Sequence, residues 1–419
     1  RETEMSDRSS VLSEIPSYRK KSCWRTFLPS SNLGKCMLFM AGMLAVSGVV
    51  VISVKSGEAS NNTPKSEPWE NVRLPPSVIP NSYEIEVYPN IEEEVFYGFV
   101  NISLQVTEPT THILFHCVGM NVSDVFIEEE GSQPRYPSSM FTYAPNDFVV
   151  LKFDASVQGP LVLHMGFNGT LTNSLTGLYK STYTTAAGET RAIATTKFEP
   201  VYARRAFPCL DEPAMKANFT LKVTAANGRI ALSNMEVDSV VPRGDGSGLT
   251  DYYFPPSVRM STYLVCFIVC DFDKVEAATQ SAVFPSKKIR VWAPADKIKL
   301  GQAQLALEAS VKVLEHYEQY FGVEYPLPKQ DMVAIPDFVS GAMENWGIIT
   351  YRETALLYDP VDSSASNKQR VVTVVAHELA HQWFGNLVTM QWWDGLWLNE
   401  GFASFVEYLG VCVCVRPLN

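Results

Sequence analysis

The stretch "VVAHELAHQWFGN", residues 374–386, places two histidines four residues apart with a glutamate directly after the first. On a helix, residues i and i+4 share a face. His377 and His381 can therefore point imidazole nitrogens at one ion, and Glu378 can reach a water beside it. This is the H-E-x-x-H arrangement of two zinc ligands and a general base. A catalytic zinc needs a third protein ligand and an open position. Glu400, in "WLNEGFASF" and nineteen residues after His381, supplies that ligand at the start of a second helix. An ordinary apolar helix carrying a chance pair of histidines would have neither Glu400 nor the upstream stretch "GAMENWG", residues 341–347.

The elements around these residues follow from periodicity. From about residue 75 to 275 the chain runs in short segments alternating at period two, broken by Pro, Gly and Asn. "YEIEVYP", "FYGFVNISLQV", "FVVLKF", "LVLHMGFNGTL", "NFTLKVTA" and "STYLVCFIVCDF" are among them, the pattern of an all-β domain. "KKIRVWAP" adds a strand. A helical stripe over 300–321, a strand "DMVAIPDF", a helix over 368–384 and a last helix over 398–409 then make a mixed α and β region. The final "VCVCVRPLN" alternates at period two and reads as something other than a continuing helix.

Net charge is −11, which argues against nucleic acid as the partner of the folded part. There is no Walker loop, no G-x-G-x-x-G and no internal repeat. Residues 36–54, "CMLFMAGMLAVSGVVVISV", carry no charge. At ~1.5 Å rise per residue they cover roughly 28 Å, about the thickness of a bilayer core. The preceding segment is basic, with Arg8, Arg19, Lys20, Lys21, Arg25 and Lys35, so the expected orientation is type II, with a cytosolic N-terminus. Five sequons, at Asn61, Asn101, Asn121, Asn168 and Asn218, fit a lumenal or extracellular face for the rest. Cys266 and Cys270 lie four apart in one strand, ~13 Å, too far to bond to each other.

With these motifs in hand, residues from about 70 to 410 resemble the M1 family of zinc aminopeptidases, the group that includes membrane aminopeptidase N. "GAMENWG", "HELAH" followed after eighteen residues by Glu400, "ARRAFPCLDEPAMKA" and "SNMEV" carry the resemblance. It implies an N-terminal β saddle or sandwich domain followed by the front part of an α+β thermolysin-like peptidase domain. The expected division is a cytosolic tail at 1–35, a signal-anchor helix at 36–54, a stalk at 55–74, the β domain at 75–283, an incomplete catalytic domain at 284–410 and an atypical tail at 411–419.

The resemblance also implies roles. His377, His381 and Glu400 would bind one Zn(2+) per chain, with Glu378 taking a proton from the attacking water and returning it to the leaving amine. Glu344 and Glu199 would hold the substrate's free α-amino group. Gly341, Ala342 and Met343 would line the substrate as an edge strand, and Asn345 would orient the loop. Lys197 stands where the family usually has glutamine, beside the pocket for the first substrate side chain. Its charge is expected to favour Asp or Glu there and to repel Arg or Lys. The function implied is removal of N-terminal residues from peptides outside the cell or in a lumen, at a membrane, with a homodimer as a further expectation. The alternative is a truncated zinc-binding ectodomain of little activity, because the family's oxyanion tyrosine lies beyond the residues present.

Overall fold

The computed structural model describes residues 67–415. The expected cytosolic tail at 1–35, the expected membrane segment at 36–54, Asn61 and residues 416–419 lie outside the described residues. No helix among the described residues is long and apolar enough to cross a membrane.

The β region contains β1 (Val78–Asn90), β2 (Val95–His116), β3 (Met120–Glu129), β4 (Ser139–Tyr143), β5 (Phe148–Thr170), β6 (Gly177–Thr184) and β7 (Thr190–Lys197). It continues through β8 (Asn218–Ala226), β9 (Ile230–Ser233), β10 (Ser239–Pro242), β11 (Leu249–Phe254) and β12 (Phe267–Cys270). An eight-stranded sheet runs β10-β11-β8-β1-β2-β5-β3, with β4 also on β5, and a four-stranded sheet runs β6-β7-β12-β9. The period-two reading holds where one face is wet. In β1, Tyr83, Ile85 and Val87 are buried while Glu84 and Glu86 are exposed, and Tyr83 and Ile85 register against Ile102 and Val100 of β2. Such alternation fixes register, since a one-residue slip would turn the apolar set outward.

The mixed region contains β13 (Asp273–Ala278), β14 (Lys288–Ala293), α1 (Ala295–Lys299), α2 (Gln304–Phe321), β15 (Lys329–Ile335), β16 (Ala342–Met343) and β17 (Ile348–Arg352), then α3 (Glu353–Leu356), α4 (Ala365–Ala380) and α5 (Leu396–Val415). Its sheet runs β13-β14-β15-β17-β16. The β14–β15 and β15–β17 pairs are parallel, and the two edge pairs are antiparallel. Strand β15 is buried along its whole length, as a strand covered on both faces must be. Helices α2, α4 and α5 pack on one another. Both regions contribute to one continuous apolar core.

Three expected boundaries move. Trp69, placed by the sequence reading in the stalk, is buried. Its ring meets Phe141 edge-on at 5.3 Å and lies under the Lys152 ammonium at 4.6 Å. Arg73 pairs with the buried Glu212 at 2.8 Å, so the folded β region begins before residue 75. At its other end, β13 was read with the β domain but hydrogen-bonds to β14 in the second sheet, so that sheet begins near residue 273. Last, "VCVCV" is the end of helix α5. Val411 and Cys414, three apart, pack on the core, with Cys414 Sγ 4.0 Å from the Ala309 carbonyl of α2. Five alternating residues are too few to separate period two from the i, i+3 spacing of a helix.

Among the described residues, Cys117, Cys209, Cys266, Cys270 and Cys414 are unbridged and buried.

Candidate active site

Helix α4 starts cleanly because Ser364 caps it, its hydroxyl accepting from the Asn367 N–H at 3.1 Å. Val371, Val372, Val375, Ala376 and Leu379 bury one stripe. His377 and His381 project from its last turn, with their Nε2 atoms 3.0 Å apart. Each Nδ1 faces an oxygen: His377 Nδ1 lies 2.8 Å from Glu407 Oε2, and His381 Nδ1 lies 2.9 Å from the Phe384 carbonyl. An imidazole whose Nδ1–H donates leaves a lone pair on Nε2, so two lone pairs point at the same space. Glu400 Oε2 completes the triangle at 3.4 Å from His377 Nε2 and 3.6 Å from His381 Nε2. Ligand atoms ~2.0–2.1 Å from a tetrahedral zinc stand about 3.3–3.4 Å apart. The observed edges bracket that value.

Charge gives a second test of fit. The carboxylates of Glu199, Glu344, Glu378 and Glu400 surround the two imidazoles. Burial, and after it Glu199, push the Glu344 carboxyl up to about 8, and burial pushes Glu378 up to about 7. Burial opposes a charged His381, yet Glu344, Glu400 and Glu378 outweigh it and push the imidazole up to about 10. Hydrogen bonds to His377 and His381 hold Glu400 far below the usual carboxylate range. Glu344 and Glu378 drawn towards neutrality, beside imidazoles drawn towards their cations, describe a cluster short of positive charge, as a cation site would be.

The elements beneath the site fix it in place. Glu400 and Glu407 lie seven apart on α5, two turns along one face. Tyr317 of α2 has its hydroxyl 3.0 Å from the carbonyls of both Ala376 (α4) and Val406 (α5), donating to one at a time. Gly410 makes room for that hydroxyl, which a Cβ would meet at 2.5 Å.

The stretch 341–347 forms the edge of the second sheet. Ala342 and Met343 pair with Tyr351 and Thr350, and β16 is the terminal strand. Gly341 O accepts from the Arg352 N–H at 3.0 Å, and the Arg352 guanidinium holds the Phe338 carbonyl at 2.7 Å. Asn345 donates to Thr350 Oγ1 at 3.2 Å. Gly347 has φ +83 and its Cβ position abuts the Asn234 carbonyl, so the chain passes Asn234 as only glycine can. "SNMEV" anchors here too: Asn234 Nδ2 donates to the Trp346 carbonyl at 2.9 Å, and the buried Lys329 ammonium holds Ser233 O, Gly347 O and Asp331.

That anchoring delivers Glu344. It is 3% exposed, and its Oε1 has no hydrogen-bond partner. Carboxylate oxygens of Glu199, Glu344 and Glu400 lie within 4.8 Å of one another. Glu378 is likewise buried with an unpartnered Oε2. Lys197 departs from expectation. It does not face the site with a free charge: its ammonium lies 2.9 Å from Glu199 Oε2 and the residue is 5% exposed.

Asn386 and Glu407 escaped the sequence reading. Asn386 closes the quoted stretch and donates to the Glu344 carbonyl at 2.8 Å, tying the "GAMENWG" loop to the end of α4. Glu407 shares its helix face with Glu400, and its seven-residue spacing was the signal available.

Of the sequons, Asn121 on β3 is exposed and lies opposite Asn168 on β5, its Nδ2 3.4 Å from Asn168 Oδ1. Asn101 is half-buried, with Oδ1 2.8 Å from His164 Nδ1, and Asn218 donates to the Ser257 carbonyl at 2.6 Å.

Residues 79–264 match the peptidase M1 N-terminal domain, and residues 305–415 match the peptidase family M1 domain. The chain is 45% identical to endoplasmic reticulum aminopeptidase 1 of Rattus norvegicus over 362 residues, 85% of this chain and 38% of that protein. It is 46% identical to endoplasmic reticulum aminopeptidase 2 of Bos taurus over 359 residues, 84% and 37% of the two chains. To glutamyl aminopeptidase of Sus scrofa it is 44% identical over 350 residues, 82% and 36%. It thus spans under two fifths of the length of these relatives. Two matched domains in chain order, and a His-His-Glu triangle of zinc dimensions where the second one lies, place the chain in peptidase family M1.

Proposed function

We propose that the chain is the zinc-binding part of an aminopeptidase that hydrolyses the N-terminal bond of peptides, on the extracellular or lumenal side of a membrane. The observation that carries this reading is the adjacency of two sites. The His377–His381–Glu400 triangle shares Glu400 with a cluster of carboxylates, Glu199 and Glu344, suited to a cation of a different kind. An ammonium held by two carboxylates sets where the first peptide bond lies, and that bond then falls at the metal position. Zinc, when bound, supplies a Lewis acid for the scissile carbonyl and a lowered pKa for the attacking water.

The chain's own residues do the rest. Glu378, dry and unpartnered at Oε2, takes the proton from the attacking water and passes it to the departing amine. β16 offers the outer edge of Gly341, Ala342 and Met343 to an extended peptide, so that main-chain hydrogen bonds align the substrate. Glu407 and the Phe384 carbonyl hold the two imidazoles in the tautomer that presents Nε2. In this reading the sequons at Asn101, Asn121, Asn168 and Asn218 lie on the glycosylated side.

A second reading, a zinc-binding ectodomain with little turnover, draws on one feature. Trp397, Phe405 and Tyr408 of α5 are 67%, 63% and 66% exposed beside the site, an apolar face of the size that marks an interaction surface.

The test combines metal content with hydrolysis of aminoacyl-methylcoumarinamides and their N-acetylated forms. The expected result is about one zinc per chain, lost on His381→Ala. Turnover should be confined to free amino termini and reduced roughly 10²–10⁴-fold by Glu378→Gln. Zinc without turnover selects the second reading. Undiminished zinc in His381→Ala removes both.

A further inference from the structure

Three contacts use the three donors of the Lys197 ammonium. Nζ lies 2.9 Å from Glu199 Oε2, 3.1 Å from the Glu199 carbonyl and 3.2 Å from Met343 Sδ. The residue is almost wholly enclosed between the end of β7 and β16. This is a built site for a cation, not a surface pair held loosely by a long side chain. It has a direct consequence for the neighbouring carboxylates. With Glu400 committed to the metal triangle, Glu199 and Glu344 remain for a substrate amine, and one oxygen of Glu199 already holds an ammonium.

We propose that Lys197 is a resident counterion of the amine subsite, occupying Glu199 and lowering the affinity of the site for any free α-ammonium. The inference rests on the reading of Glu199 and Glu344 as the amine site and adds to it. It also replaces the expectation that Lys197 selects acidic first residues. A charge paired with Glu199 acts on the amine common to all substrates, not on the side chain that distinguishes them. A neutral residue at 197 leaves both carboxylates to the incoming ammonium and removes a like charge a few ångströms from it. Both changes strengthen binding of the charged terminus and leave a neutral terminus unaffected. A positively charged residue of different shape preserves the effect, which separates charge from packing.

The experiment uses the zinc-loaded chain and two pairs of probes that differ only in the amino group: leucinamide against 4-methylpentanamide, and glutamic acid α-amide against glutaric acid monoamide, which both keep the free side-chain carboxylate. Dissociation constants from ligand-detected NMR titration give the preference for the ammonium as a ratio within each pair. Lys197→Gln and Lys197→Met should each raise that ratio roughly tenfold or more, by a similar factor for both pairs, while Lys197→Arg holds it near the wild-type value. A ratio unchanged in both neutral variants overturns the proposal, and if both members of the glutamic acid pair then lose affinity together while the leucine pair does not, selection by side chain is restored. Glu344→Gln in the wild-type background separates the two levels. If it lowers the ratio while the Lys197 variants do nothing, the amine subsite stands and the counterion falls. If Glu344→Gln has no effect on the ratio, the subsite assignment falls and takes the counterion with it.

Discussion

Glu407 is not itself an expected ligand, yet the geometry makes it the principal support of one. Its Oε2 lies 2.8 Å from His377 Nδ1, its side chain is 14% exposed, and it sits two turns beyond Glu400 on the same face of α5. A carboxylate accepting from Nδ1–H raises the basicity of Nε2 and locks the ring towards the metal. Hydrogen bonds to a charged acceptor contribute about 1.5–3 kcal/mol. Part of that survives replacement by an amide, whose oxygen still accepts, and none survives truncation. Glu407→Gln should therefore raise the zinc dissociation constant about tenfold and Glu407→Ala about 100-fold, the range typical of such outer partners. Competition of each purified variant against a fluorescent zinc chelator at pH 7.5 reads the constant directly, and far-ultraviolet circular dichroism checks that α4 and α5 remain helical. Equal zinc affinity in wild type and Glu407→Ala, with the fold intact, would show that His377 is oriented by its helix alone and would refute the argument.

Lys329 carries a charge wholly out of water, held by Asp331 and the carbonyls of Ser233 and Gly347. Lys329→Met should cost ~3–5 kcal/mol in urea unfolding, because two carbonyls lose their donor and Asp331 one of its cations. A loss below ~1 kcal/mol would contradict the picture of a buried keystone between "SNMEV" and "GAMENWG". His116 is buried, its Nδ1 accepting from the Asp211 N–H at 3.1 Å, and burial, then Arg204, hold its pKa well below 6.5. The unfolded chain takes up a proton below pH 6.5 that the folded chain refuses. Stability should therefore fall as pH drops from about 6.5 towards the folded pKa, by up to ~1.4 kcal/mol per unit. His116→Gln should show a correspondingly flatter profile of urea midpoints between pH 7.5 and 5, and parallel profiles would dismiss the role of His116.

What the sequence determined about this protein was local and periodic. Four-residue spacing on a helix puts His377 and His381 on one face whatever surrounds them, and alternation in β1 and β2 assigns their buried sides because the side-chain period of a strand is two. Burial of only one face makes both patterns legible. Tertiary structure decided whatever depends on two distant segments meeting. Whether Glu400 reaches the histidines is settled by Tyr317 bridging α4 and α5. Glu344 reaches Glu199 because Asn386, Asn234 and Lys329 pin the loop that carries it. The strand β13 pairs with β14 although nothing in its own residues marks it off from the β domain. "VCVCV" became helix because Val411 and Cys414 find the core, a contact invisible to a five-residue pattern. Lys197 shows the limit most clearly. Its charge and position are plain in the sequence, but which oxygen that charge answers depends on side-chain geometry within the folded site, where the ammonium lies 2.9 Å from Glu199 Oε2.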